Sequence, residues 1–188
     1  VEEDEQPSLT QEDEPKNGVI AEVTDVENDK LTYDLESKPT NGRVSIDGKT
    51  GEYTYTPNKN FNGKDEFTVV VSDGNGGRVT VTVPVTVTPV NDAPVVNEPT
   101  QPITTLEDEP KKGRIEGVTD PDSSNGEEVE LTYTVEKEPK NGTVTIDEKT
   151  GEYTYTPKKD YNGSDEFTVV VSDGNGGEVT VTIPVTVT

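Results

Sequence analysis

The stretch DEFTVVVSDGNGG at Asp65–Gly77 recurs unchanged at Asp165–Gly177. It carries two signals. Phe67, Val69 and Val71 alternate with residues for an opposite face, the period of a β-strand. The run then stops at Asp73-Gly74-Asn75-Gly76-Gly77, a cluster of turn formers. Working outward, Leu31–Thr88 aligns with Leu131–Thr188 at an offset of 100, with 44 identities in 58 positions. Upstream the offset falls to 95, where Glu12-Asp13-Glu14-Pro15-Lys16 matches Glu107-Asp108-Glu109-Pro110-Lys111. The second copy therefore carries a five-residue insert within Asp120–Glu128, in a place expected to be a loop. The chain is two copies of one unit, expected to divide at 1–90 and 91–188 with a linker at about 88–94.

Within a copy the alternation persists. Leu31, Tyr33 and Leu35 form one run, Val44 and Ile46 another, Tyr53 and Tyr55 a third. Val79, Val81, Val83, Val85 and Val87 form the longest. Thr, Glu or Arg mostly fills the other face, as in antiparallel sheets with one face on a core. Asn17-Gly18, Asn41-Gly42, Asp47-Gly48 and Asn62-Gly63 separate the runs. A first strand near Ser8–Thr10 and a second at Val19–Val23 complete seven. The expected architecture is all-β: two tandem seven-stranded Greek-key sandwiches, immunoglobulin- or cadherin-like, in an extended arrangement. Pro84 and Pro184 interrupt the last strand of each copy, which is expected to lie at an edge or to bulge there.

Composition agrees. The 188 residues include 27 Val and 28 Thr but only two Ala, so β-branched residues prevail over helix formers. Lys and Arg number 16 and Asp and Glu 39, a net charge of −23. A polyanion of this kind has no surplus of bases for nucleic acid or for an anionic membrane surface. Without His or Cys there is no Ser-His-Asp triad, thiol nucleophile or ordinary zinc site. No apolar run approaches the ~20 residues of a membrane-spanning helix. The chain opens on Val1, as expected of a processed or excised piece, with no signal peptide in view.

Carboxylate oxygen remains, and it suits calcium. In a seven-strand sandwich, the loops after the first, third and fifth strands share one end, and those after the second, fourth and sixth share the other. Glu12, Asp13 and Asp65 of the first copy, linker residues Asn91 and Asp92, and Asp120, Asp122 and Asp173 of the second are thus expected at one junction. Unneutralised, so many charges would repel. The same logic assigns half-sites to the outer ends: Asp25, Glu27, Asp29 and Asp73 at one, Glu107, Asp108 and Asp165 at the other. Solvation of a surface accounts for single acids; convergence favours a cation.

Other motifs fail on context. Gly42 through Thr50 has five residues between its glycines and precedes no helix, so it is not a phosphate loop. The loop from Asp73 would place Pro84 where an EF-hand needs Glu. Tyr53, Tyr55 and Phe67 alternate as core residues rather than as a sugar-stacking platform. Asp65 and Glu66 are strand neighbours on opposite faces and cannot flank one glycosidic bond.

The pattern E-D…V-T-D…L-T-Y…P-x-N-G-x-V…G-x-Y-T-Y-T-P…(F/Y)-N-G-x-D-x-F-T…S-D-G-N-G-G, closed by Val90-Asn91-Asp92-Ala93-Pro94, resembles the cadherin-like and VCBS-type tandem repeats of large bacterial RTX-type adhesins. It spans the chain twice. The resemblance implies secretion to the bacterial cell surface, partners that are neighbouring repeats in an array, and calcium at the joints of a non-enzymatic extender. It places Glu12, Asp65, Asp120, Asp122 and Asp173 at positions similar to the cadherin acidic motifs, with Asp25-Val26-Glu27 departing from Asp120-Pro121-Asp122. The near identity of the copies also suits a consensus or engineered tandem. The alternative is a module that binds polysaccharide or a like module on another cell. A monomer is expected.

Overall fold

In the computed structural model, residues 4–125 and 128–188 are described. The chain divides into two compact units, Val1–Val90 and Asn91–Thr188. Among the described residues there is no α-helix; the one helical turn is a 3-10 segment, Pro121–Asn125. It occupies the insert of the second copy, whose Gly126 and Glu127 lie outside the described residues.

The first unit has β1 (Asp4–Glu5), β2 (Ser8–Gln11), β3 (Lys16–Val19), β4 (Thr32–Ser37), β5 (Gly42–Ile46), β6 (Glu52–Pro57), β7 (Gly63–Ser72) and β8 (Arg78–Thr88). One sheet runs β1-β8-β7-β4 with β2 also on β8; the other runs β3-β6-β5. β1 and β2 act as one interrupted strand, both parallel to β8. The unit is thus a four-on-three sandwich of seven strands. The second unit repeats it with β10 (Ile103–Thr105), β11 (Lys111–Arg114), β13 (Thr132–Lys137), β14 (Gly142–Ile146), β15 (Glu152–Pro157), β16 (Gly163–Ser172) and β17 (Glu178–Val187). It adds a short antiparallel pair, β9 (Val95–Val96) with β12 (Val118–Thr119).

The period-2 pattern becomes burial directly. Phe67, Val69, Val81, Val83 and Val85 are fully buried in the first unit, and Phe167, Val169, Val171, Val181 and Ile183 in the second. Tyr53 packs edge-on against Phe67 with ring centroids 5.2 Å apart, and Tyr153 repeats this on Phe167 at 5.3 Å. These rings are core, as their alternation implied.

Two expectations need correction. The second strand is not Val19–Val23: β3 is Lys16–Val19, paired with β6 from Lys16↔Tyr55 to Val19↔Glu52. Gly18 makes that pairing feasible, because a Cβ there would collide with the buried Tyr53 ring. The chain leaves the ladder after Val19, and Ile20 turns into the core. Nor do the prolines mark an edge strand or a bulge. β8 lies inside its sheet, and its register with β7 runs unbroken through Glu66↔Pro84. The interruption is in the partner: β1 covers Val81 and Thr82, β2 resumes at Val85, and Pro84 falls opposite the gap. A residue with no N–H loses little where no acceptor strand runs.

Candidate metal centre

Each unit places its acids by backbone geometry, and their partners separate structural carboxylates from available ones. In the first unit Asp65, early in β7, accepts the Thr40 and Glu66 N–H groups on Oδ1, each at 2.9 Å. Its Oδ2 accepts the Asn41 N–H at 3.0 Å and the Tyr55 hydroxyl at 2.9 Å. Burial, followed by the bond to Asp65, pushes the Tyr55 phenol well above its ordinary range. Asp165 has the same four donors, including Tyr155. A carboxylate has about four acceptor positions, so these two tie the β4–β5 and β13–β14 loops to the sheet. Asp13, at φ 60°, accepts the Asn60 N–H at 2.8 Å, and Asp108 repeats this on Asp160 at 2.9 Å. These acids hold loops, which their sequence positions alone did not reveal.

Glu12 differs. Its N–H donates to Thr88 O at 2.9 Å, continuing the β2–β8 pairing. Its Oε2 accepts the Val90 N–H at 3.2 Å and the Asn62 amide at 3.3 Å. The residue is 4% exposed, and Oε1 is buried with no hydrogen-bond partner. In sequence Asn62 is half of an Asn-Gly turn; in the fold its amide also orients Glu12. The counterpart Glu107 is exposed.

The second unit gathers the other acids. Asp120 precedes the 3-10 turn, and its Oδ1 accepts the Asp122 N–H at 2.9 Å. Asp122 Oδ2 accepts the Asp92 N–H at 3.1 Å. Asp173, in the β16–β17 loop, accepts Asn175 and Gly177 N–H groups on Oδ1 and the Asn91 amide on Oδ2 at 2.9 Å. Asp120 and Asp173 are each 6% exposed, and Asp120 Oδ2 is buried with no hydrogen-bond partner. The amide of Asn91, helped by loop N–H groups, holds the Asp173 carboxyl below the usual carboxylate range. Asp120 is driven the other way. Burial raises it first; the fields of Asp122, Asp173 and Asp92 add to that, against the one N–H bond that lowers it.

At the far end of the first unit, Asp25 Oδ1 accepts the Asp29 N–H at 2.9 Å and Asp29 Oδ2 accepts the Asn75 amide at 2.7 Å. Asp73 caps its own loop through Asn75 and Gly77. Asp25, Asp29 and Asp73 are therefore brought together, more openly than Asp120 and Asp173; Glu27 is exposed.

A buried carboxylate oxygen without a donor is expensive unless something positive reaches it. Glu12 Oε1 and Asp120 Oδ2 are such oxygens, and hard oxygen donors select calcium or magnesium over thiophilic metals. The residues thus fit a divalent cation.

The class defined by this architecture is a tandem of immunoglobulin-type β-sandwiches. The family described as Bacterial Ig domain matches residues 1–86 and again 91–186, and the chain belongs to that family in two copies. No curated protein matches the chain. Among solved structures, human CDH23 EC21-23 aligns at TM-score 0.62 and 19% identity, over 98% of this chain and 67% of that one. Mouse cadherin-23 EC22-24 aligns at TM-score 0.62 and 22% identity, over 100% of this chain and 63% of that one. At such identities the likeness is one of fold. An endo-fucoidan hydrolase of glycoside hydrolase family 107 aligns over 98% of the chain at TM-score 0.42, too low to carry an argument. The chain spans 27% of that enzyme's length. Among the described residues no helix is long and apolar enough to cross a membrane.

Proposed function

We propose that this chain is a pair of non-enzymatic spacer repeats from a bacterial cell-surface adhesin of the RTX type, stiffened by calcium between successive repeats. The carrying observation is the pair of orphaned buried carboxylate oxygens, Glu12 Oε1 in the first unit and Asp120 Oδ2 in the second. Chain continuity supports joining them. Glu12 holds the N–H of Val90, and Asp92, which engages Asp122, is only two residues further on. A residue spans at most about 3.6 Å of chain. In this reading Glu12, Asp92, Asp120, Asp122, Asp173 and the Asn91 carbonyl oxygen hold the cation. Asp65 and Asp13, engaged by loop donors, serve the site by fixing the loops around it. The cation supplies the positive charge that lets carboxylates of two units and a linker converge. Outside the cell, calcium is available at the about 0.1–1 mM where such modules bind. A tandem of immunoglobulin-type domains fits an adhesive or extender role.

The test is thermal unfolding of the wild type and Asp120→Asn, with and without calcium. In EDTA the substitution removes a buried charge facing three other carboxylates, so the second unit should melt higher than wild type. In calcium at ten times the dissociation constant, each site adds about 1.4 kcal/mol to the wild type. The variant should lose most of that gain. Equal calcium gains in the two proteins, or no gain in either, would overturn the assignment.

A further inference from the structure

We propose that the second unit carries a binding groove for an anionic polysaccharide, one bearing carboxylate or sulfate groups, along the free edge of β11. The inference is independent of the cation reading.

Three of the chain's 16 basic residues, Lys111, Lys112 and Arg114, stand in this one four-residue strand. β11 is an outer strand of its sheet, ordered β11-β15-β14. All three bases are exposed, and they line an open groove of about 780 Å³. The first unit is a built-in control. Its equivalent strand reads Lys16, Asn17, Gly18, Val19, so two of the three charges belong to the second copy alone. The scaffold beneath is otherwise shared: Gly113, like Gly18, lets a buried tyrosine ring lie against the strand.

The groove is set before any ligand arrives. Gln101 donates to Glu98 O at 3.1 Å and Glu116 O at 2.8 Å, and accepts the Glu116 N–H at 3.2 Å. The pair β9–β12 closes beside it, with the Asn97 N–H on Gly117 O at 3.0 Å. Arg114 is anchored through Nε to Thr150 O at 3.1 Å, which leaves its terminal N–H groups to donate. Ordering done in advance lowers the cost of binding.

Chemistry chooses the ligand class. Arg and Lys donate charge-assisted hydrogen bonds to carboxylate or sulfate oxygens. Glu98, Glu116 and Asn97, in the same lining, accept from hydroxyls. A chain of sugars with acid groups offers both partners; an acidic peptide offers few hydroxyls. The net charge of −23 repels polyanions at long range, but at physiological salt that field fades within about 8 Å. The lining itself sets Lys111, Lys112 and Arg114 against Glu98 and Glu116, a local surplus of one positive charge in an acidic chain.

The experiment measures binding of the whole chain, at physiological salt and in EDTA, to dextran sulfate, polygalacturonate and neutral dextran. The expected result is retention of at least one anionic polymer and little of neutral dextran. Lys112→Asn with Arg114→Val, the residues the first unit carries, should weaken binding about tenfold or more with an unchanged melting temperature. Should that variant fail to fold, Lys112→Gln at its exposed site is expected to weaken binding several-fold. Sulfated against carboxylated polymer separates the two acid groups. The proposal is overturned by no retention, by equal retention of neutral dextran, by unchanged binding of the variants, or by equal or tighter binding of single-stranded DNA or poly-glutamate.

Discussion

At the residue scale, acids of one type do opposite work here, and their donors decide which. Asp147 and Asp47 sit in exposed turns. N–H groups of residues 149 and 150 hold Asp147 below its ordinary value near 3.8, Thr150 contributing most; Lys49 and Thr50 do the same for Asp47. A carboxyl depressed by folding stabilises the fold above its unfolded pKa, and that stability is lost as pH falls through the folded one. Asp147→Ala should therefore melt below wild type at neutral pH, with the gap closing once pH is well below 3.8. Calorimetric melts at both pH values check this; a gap that persists in acid would point to a packing role instead. Asp65 and Glu12 show why ligand choice was only partly legible. Both are acids at strand ends in sequence, but Asp65 meets four donors while Glu12 keeps an oxygen without one. That difference depends on where the Thr40–Asn41 loop and Asn62 fold back, and no local spacing encodes it.

At the element scale, alternation and turn residues made most strands legible, from the valine ladder of β8 to the Asn-Gly turn that opens β5. The short strand β3 was displaced because its identity rests on fit rather than periodicity: Gly18 must pass over Tyr53. Adding a methyl at that point should cost about 1–3 kcal/mol by overpacking, since Tyr53 is 7% exposed and held against Phe67. Denaturant unfolding of Gly18→Ala tests it, and unchanged stability of the first unit would contradict the packing described. Pro84 was misplaced for a related reason. A proline argues for an edge only if the neighbouring strand is continuous, and here β1 and β2 leave a gap opposite it. Hydrogen-bond accounting for one strand thus needs the break in another, which lies nearly eighty residues earlier in sequence.

At the scale of the whole molecule, the repeat offset read from sequence and the family match in both halves describe the same duplicated sandwich. The net charge of −23 takes on a more specific meaning within it. Some acids tie loops, some solvate surface, and two, Glu12 and Asp120, each keep one buried oxygen without a donor. In the proposed function these two join through calcium and hold successive repeats in a fixed relation. Small-angle scattering of the intact chain in calcium, in EDTA, and in magnesium at equal ionic strength measures that relation directly. Calcium bridging gives a longer, narrower interatomic distance distribution in calcium than in EDTA, with magnesium unable to reproduce it by screening alone. Superimposable distributions in calcium and EDTA would contradict it.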